Sequence, residues 1–449
     1  MAQYSPYTSL LKPDLQQMLQ EGDSAGLSEF CNALYAGVVA EVLEELDAES
    51  AWRVLSECSP QRQAEILPFF SLPYQIQLVD HVDRKALSRI IEEMSPDDRV
   101  DLLERLDPDH VESLLPLIAQ AERSDIRKLL SYPDDSAGAI MTTEYASLPV
   151  NITAEEALRR LRIQAPSRET IYYIYITDEG RHLIGFLSLR KLIQASPRTE
   201  LSDLVERDVI SVRVDDDQEF VANEIARFDF IAIPVVDNQN RLVGIVTHDD
   251  AADVLLEEAA EDAQLAAAVA PLEDAYLETS LFTLTWKRGV WLVILLAAAS
   301  LTAFVLSIFE DQEAGNWMVL FIPLVLASGG NAGSQSATLV IRALALNETE
   351  GKVGLIARRD FQVGMILGSV LGAISLAVAL WLVEPQQAAV VASTVFLVVT
   401  MGTVSGGLLP IGLAKLGMDP ALMSGPLIAA LSDVVGVVIY YNIARLALT

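Results

Sequence analysis

From Trp286 onward the sequence is built of five long apolar stretches, at about residues 288–309, 317–345, 356–383, 388–414 and 421–446. Each is as long as the roughly twenty residues a helix needs to cross the hydrocarbon core of a bilayer. Backbone in that medium must satisfy its own hydrogen bonds, so these stretches read as membrane-spanning helices and fix the fold of this half more firmly than any motif. Lys287, Arg288, Arg342, Lys352, Arg358, Arg359 and Lys415 flank the spans on one side, whereas the loops "EDQEAGN" (310–316) and "VEPQQ" (383–387) carry no Lys or Arg. Basic flanks stay in the cytoplasm, so the N-terminal half is expected there and the C-terminus, near Arg445, outside.

The chain has 449 residues and a formal charge of −31, unevenly spread. Residues 1–283 hold 53 Asp and Glu against 23 Lys and Arg, and the remainder holds 9 against 8. So acidic a half repels nucleic acid and anionic headgroups and attracts cations. The start, "MAQYSPYTSLLKPDL", has neither a basic nor an apolar leader segment, so the first span is expected to direct insertion. Cys31 and Cys58 are too few for a disulfide framework and read as packed, reduced thiols; the four His show no metal-ligand spacing. A nucleotide-binding GxxxxGK[ST] loop and an aspartyl-phosphate motif are both missing, which argues against an enzyme or a primary pump.

Two repeats organise the acidic half. Asp47, Ser59, Ser71, Asp83, Ser95 and Asp107 are twelve residues apart, each a residue type that caps helix N-termini and each preceded by an apolar or thiol side chain. Pro60, Pro96 and Pro108 then stand at the first helical position. This predicts short helices stacked into an α-superhelix. Further on, "IYYIYITDEGRHLIGFLSLRKL" (171–192) aligns with "FIAIPVVDNQNRLVGIVTHDDA" (230–251) at an offset of 59, which predicts paired β-α-β modules about a pseudo-twofold axis. Residues 251–280 read as a helical connector. The expected fold is therefore multidomain: an α-superhelical N-terminal regulatory domain (1–131), two α/β modules (132–197 and 198–258), a connecting helix (259–284) and an all-α domain of five transmembrane helices (285–449).

Asp433 is the residue that asks for an explanation. A carboxylate inside a span costs several kcal/mol unless it faces water, a cation or a partner. Carboxylates suit hard cations, and Mg²⁺ keeps part of its water, so one or two such groups can hold it through its hydration shell. One span supplies one carboxylate; a twofold homodimer would supply two across a central path. The alternative is a carboxylate capped by neighbouring hydroxyls such as Ser432. Asn331 and Gln335, four apart in "SGGNAGSQSATL", would line a wet surface or brace the helix bearing Asp433; close helix packing is the plainer reading of the glycines there. Asp419 lies at the cytoplasmic mouth on this topology, and Gly425 opens the last span.

The paired modules resemble a tandem of CBS domains, with the "GIVTHDD" ending as the mark. Together with "YPDDSAGAIMT", "GGNAGSQSATL" and "PALMSGPLIAALSDVVG", the chain resembles the MgtE family of magnesium channels over nearly its whole length. The resemblance implies a homodimer in a bacterial inner membrane, in contact with lipid, with Asp433 in the pore and Asp419 at its cytoplasmic mouth. It also implies regulatory Mg²⁺ between acidic cytosolic domains, held by Glu65, Asp97 and Asp101, by Asp217, Glu219, Asp229, Asp250 and Asp253, and by Glu258, Glu261 and Asp262 on the connector. Bound Mg²⁺ would keep these domains compact and the pore closed. Some relatives carry Asn where Gly425 stands. CBS modules that bind adenine nucleotides often end in Ser/Thr-x-x-Asp; Thr247 and Asp250 keep it, whereas "SLRK" puts Lys191 at the acidic place, so ATP is an expectation for one module at most. The competing reading is a membrane-anchored, nucleotide-sensing regulator without ion flux.

Overall fold

The computed structural model describes residues 6–272, 276–277, 279–310, 317–345, 349, 351–422 and 425–448. Residues 311–316 of the loop expected outside the membrane therefore lie outside the described residues. The chain divides into two compact units, Met1–Leu256 and Glu257–Thr449.

The first unit opens with α1 (Pro6–Glu21), α2 (Ser24–Ala33), α3 (Ala36–Leu43), α4 (Ala48–Leu55) and α5 (Pro60–Ile66). There follow α6 (Leu72–His81), α7 (Arg84–Glu93), α8 (Pro96–Arg105), α9 (Pro108–Leu114) and α10 (Gln120–Leu129). All six residues of the twelve-residue series are N-caps, of α4 to α9 in turn. Asp47 accepts from the Ser50 N–H at 2.9 Å, and Asp83 from those of Lys85 and Ala86 at 3.0 and 3.2 Å. Ser71 and Ser95 hold the capping position but spend their hydroxyls elsewhere, Ser71 on Glu44 and Ser95 on Asp98 at 2.6 Å. Between caps, one face of each helix is apolar, and Leu43, Val54, Ile66, Leu78, Ile91 and Leu102 meet in one continuous core.

Two three-stranded sheets follow. The first module runs β1 (Tyr145–Pro149), α11 (Ala154–Gln164), β2 (Thr170–Thr177), β3 (Leu183–Ser188) and α12 (Leu189–Gln194). The second runs β4 (Val212–Arg213), α13 (Gln218–Phe228), β5 (Ala232–Val236), β6 (Leu242–Thr247) and α14 (His248–Ala266). In each, the outer strand pairs parallel and the next pair antiparallel, with Ile176 opposite Gly185 and Val235 opposite Gly244 at equivalent places. The two turns meet across the pseudo-twofold: the Leu183 N–H donates to Asn240 O at 3.0 Å and the Leu242 N–H to Arg181 O at 2.9 Å. Every residue of β5 and β6 is buried, which explains why their sequences are apolar runs rather than alternating ones. Val100 of α8 and Leu129 of α10 join the core of the second module, so the helical repeat and this module share packing.

In the second unit, α15 (Leu281–Glu310), α16 (Trp317–Ala345), α17 (Val353–Ala379), α18 (Pro385–Lys415) and α19 (Gly425–Leu448) are the helices long and apolar enough to cross a membrane among the described residues. α18 is the hub against which α16, α17 and α19 pack, while α15 lies along α19. Glycines set these distances. A Cβ on Gly402 or Gly406 would run into the backbone of Gly329 or Gly333 on α16, and Gly364, Gly368 and Gly372 bring α17 onto Thr400, Phe396 and Ala392 of α18. The connector differs from expectation. Helix α14 carries the second module's last residues and continues to Ala266, where it ends; Ala268 is left-handed (φ 58°) and the Gln264 side chain accepts from the Leu272 N–H at 2.8 Å. Pro271, without an N–H to donate, and this side-chain turn stop the helix well short of residue 280.

Candidate cation sites

At the junction of α8 with the second module, carboxylates crowd one another. α8 delivers Asp97, Asp98 and Asp101, and the start of α14 delivers Asp249, Asp250 and Asp253, with Glu169 reaching in from the first module. Desolvation first, and the Asp98 charge second, push Asp97 up to about 6. The same two kinds of cause push Asp101 and Asp250 up to about 7, with Asp97 the strongest charged neighbour of each, and Glu169 likewise to about 7. Asp101 and Glu169 are exposed, so the edge of the group is open to water. Oδ1 of Asp97 is buried without a hydrogen-bond partner, and the single proton of the Thr247 hydroxyl lies between the carboxylates of Asp249 and Asp250, 2.6 Å from the latter. Beside it, fully buried Arg99 is held by Glu122 at 2.9 Å and by the Met94 carbonyl at 2.7 Å, which fixes α8 without neutralising the cluster.

The other carboxylates expected to bind regulatory ions are placed elsewhere. Glu65 is paired with Arg62 at 2.6 Å. Asp217 caps α13, accepting from the Glu219 N–H at 2.9 Å; Glu219 follows in the first turn, and Asp229 ends the same helix in the left-handed region (φ 53°). Glu258, Glu261 and Asp262 lie on the last turns of α14. Burial first, then the charges of Asp419 and Glu258, raise Asp262, so these three carboxylates form a second small group beside the turn into α19. Asp419 there accepts from the Ala421 N–H at 2.7 Å. Among the described residues, no three His, Cys, Asp or Glu side chains close in tightly enough to enclose a bare ion.

Asp433 lies eight residues into α19, about 12 Å along the helix axis. Its own face of α19 is the one that meets α16: Ala429 rests on Gly330, Gly436 faces Val325 and Leu326, and the Tyr440 hydroxyl donates to Met318 O at 3.3 Å. Asp433 is half-buried with no hydrogen bond or ion pair among the described residues. Gly425 begins the helix and its carbonyl accepts from Ser334 at 2.8 Å; a Cβ there would stand 3.9 Å from Ala266 O. Asn331 is not brought to Asp433 within the chain. The small face of α16 (Gly330, Gly333, Ser334) is spent on α19, which turns Asn331 and Gln335 toward α17, where they line a space of about 260 Å³ with Leu367 and Leu371.

Four carboxylates escaped the sequence reading. Asp98, Asp249 and Glu169 join the cluster only because the fold brings α8, α14 and the first module together, and no local pattern marks them. Asp360 could have been found: "ARRDFQVG" puts an acid inside the third span, but the adjacent arginines read as an interfacial flank. It accepts from the buried Ser336 hydroxyl at 3.2 Å and lies over Gly407, so it ties α17 to α16 and α18.

An extramembrane acidic array on a paired CBS-type module, joined to five apolar helices with an unpartnered carboxylate inside, defines a polytopic membrane protein of the ion-transporting kind. The MgtE "Divalent cation transporter" model matches residues 322–443, the "MgtE intracellular N domain" model residues 34–135, and the CBS domain model residues 137–198 and 201–257. The chain is 39% identical over 443 residues to a Thermus thermophilus protein named magnesium transporter MgtE, covering 98% of each. It is 34% identical to the Bacillus subtilis protein of that name, covering 95% of each. Among solved structures, the cytosolic domain of an Mg²⁺ channel MgtE in complex with ATP is 40% identical, with a TM-score of 0.52, and spans 54% of this chain and 100% of its own. The soluble part of a magnesium transporter gives 35% and 0.53. The chain belongs to the MgtE family.

Proposed function

We propose that this chain passes Mg²⁺ across a membrane along a path that includes Asp433, and that Mg²⁺ on its cytosolic carboxylates closes that path. The observation that carries the reading is Asp433 itself, a carboxylate at bundle depth on the face that meets α16 and without a protein partner. An unpaired acid there is tolerable only beside water or a passing cation. The full-length relatives named magnesium transporters give the ion its identity. Mg²⁺ is cargo, not a reagent, so the protein transports and does not catalyse. One Asp433 per chain calls for a homodimer, whose twofold axis would bring a second copy and let the outward-turned amides of Asn331 and Gln335 meet the path. The basic flanks keep the acidic half in the cytoplasm of a bacterial inner membrane and send the C-terminus outside.

Control follows from repulsion. The carboxylates of α8, α14 and the first module resist close approach when ionised, and a divalent ion shared among them removes the resistance. The orphaned Asp97 Oδ1 is the buried acceptor that such an ion or its water would satisfy. Asp419, Asp262 and Glu258 offer the same opportunity beside α19. The ATP held by the related cytosolic domain supports adenine nucleotide at the second module, where Thr247 and Asp250 stand; in the first, Lys191 is engaged with Glu206 at 3.1 Å.

The test is Mg²⁺ uptake into proteoliposomes by the wild type and by Asp433→Ala, both verified as intact dimers. Uptake by the wild type alone is expected. Equal uptake by both would place the path elsewhere, and none by either at low Mg²⁺ on the cytosolic side would turn the reading toward a membrane-tethered regulator.

A further inference from the structure

The chain has two cysteines, 27 residues apart, and the fold brings them together. Cys31 stands in the last turn of α2 and is fully buried. Cys58 stands in the turn between α4 and α5, immediately before the cap Ser59. α2 packs on α4, both sulfurs lie in the core of the helical repeat, and the two thiols are hydrogen-bonded to each other. Cys58 is the one nearer to solvent: it is 9% exposed, and its neighbours Ser56, Glu57 and Ser59 are exposed. Arg62 spans the same junction. Its Nε donates to Cys31 O at 2.9 Å and its Nη2 to Leu34 O, while its backbone N–H donates to the Ser59 hydroxyl at 3.3 Å. The hydrogen bond from Cys31 holds Cys58 below the usual thiol range against the cost of burial, and the Arg62 charge adds to it; Cys31, the donor, is pushed up. One sulfur is thus the better nucleophile and the nearer to water, and the other is its buried partner.

We propose that Cys31 and Cys58 are a reversible modification site, at which a hydroperoxide joins the two sulfurs and clamps the end of α2 to the start of α5. Packing alone would be met by any small apolar side chain at either position; two thiols in contact add a chemistry. The Cys58 thiolate attacks one oxygen of the peroxide, the O–O bond breaks, and the departing oxygen takes up the thiol proton as water or alcohol. Cys31 then attacks the sulfenic sulfur of Cys58, whose hydroxyl leaves as water with the Cys31 proton, and the S–S bond forms. The two thiols lose two electrons and two protons, and the peroxide accepts both. A dithiol reverses the step by exchange at the Cys58 sulfur, which suits a bond made only transiently in a reducing compartment. The clamp joins two backbone segments that Arg62 already bridges, so it stiffens the first part of the helical repeat without rearranging it.

The experiment treats the folded, full-length protein in micelles with a modest excess of hydrogen peroxide, quenches it, and counts alkylatable thiols after denaturation. Reduced protein should show two. Oxidised protein should show none, with an intact mass lower by two hydrogen atoms, a cross-linked peptide pair holding Cys31 and Cys58 of one chain, and both thiols restored by dithiothreitol. The unfolding temperature of the cytosolic half should rise by about 5–10 °C on oxidation and fall back on reduction. Cys31→Ala should accumulate a sulfenic acid at Cys58 that dimedone traps, whereas in Cys58→Ala the buried Cys31 should stay alkylatable at the same dose. Two free thiols in the treated wild type overturn the site, as does a bond that forms only in denaturant or only between chains. A dimedone adduct on Cys31 in Cys58→Ala, with none on Cys58 in Cys31→Ala, would reverse the assigned roles and refute the mechanism.

Discussion

At Asp97 the fold holds a carboxylate in a state its chemistry resists. The group is pushed up to about 6, and Asp101, Asp250 and Glu169 to about 7, by desolvation and by one another. The sign of the consequence follows from linkage. Raised folded-state values mean that the folded unit binds more protons than the unfolded chain between about pH 4 and 7, so stability falls as pH rises through that window. Mg²⁺ competes for the same oxygens and must displace those protons. The Mg²⁺-induced rise in melting temperature of the cytosolic unit is therefore expected to be larger at pH 8 than at pH 5.5, as a thermal-shift titration would read; a larger rise at pH 5.5 would contradict the assignment. Asp97→Asn with Asp250→Asn should raise the metal-free melting temperature, roughly 2–4 °C per kcal/mol of repulsion relieved in a unit this size. Mg²⁺ is expected to protect the connector of the wild type from proteolysis and not that of this double variant; equal protection of both would remove these two acids from the regulatory set.

At the scale of elements, the helices depend on capping in the cytosolic half and on absent side chains in the membrane half. Asp83→Ala removes both side-chain bonds at the start of α7 and should cost about 1 kcal/mol, measurable by denaturant titration of the cytosolic unit. Ser71→Ala should leave the cap of α6 nearly unchanged, because its hydroxyl serves Glu44 rather than the helix. Gly406→Val would force α16 away from α18 at Gly333 and is expected to lower folded yield and flux together. These same elements show what a sequence can display. The six caps were legible because capping is local chemistry at a fixed period, and the paired modules because the same strand-turn-strand string occurs twice. The end of α14 at Ala266 was not, since alanine-rich sequence favours helix until the Gln264 side chain and Pro271 close a turn. Asn331 stood four residues from Gln335 on one face as expected, yet which neighbour that face meets depends on where the glycines of α16 are spent. Asp433 needed only the cost of a buried charge to stand out; Asp98, Asp249 and Glu169 needed the tertiary fold.

For the whole molecule, charge and apolarity are divided along the chain so that sensing and passage fall to different halves. The acidic half supplies oxygens in excess of its cations, and the membrane half supplies almost none apart from Asp433 and Asp360 within its spans. Raising the salt concentration with a monovalent chloride should screen repulsion in the first half and leave the second untouched. On the proposed reading, metal-free protein in high salt is expected to be more compact by small-angle scattering than in low salt, in the direction expected of Mg²⁺ binding, without any change in selectivity for Mg²⁺ over monovalent ions in flux assays.

The twelve-residue rhythm of caps also bears on the order in which the protein is made. Each short helix in that series carries its own start signal and packs on helices close to it in sequence, so its contacts can form as soon as a few more residues have left the ribosome. The last cap of the series, Asp107, precedes the first span by well over a hundred residues. The helical repeat can therefore be complete, and its acidic surface solvated, before any segment that needs a membrane has been synthesised. A nascent chain stalled after the second module should already resist protease through α9, and the polypeptide then arrives at the insertion machinery with its soluble half past the stage at which it could aggregate.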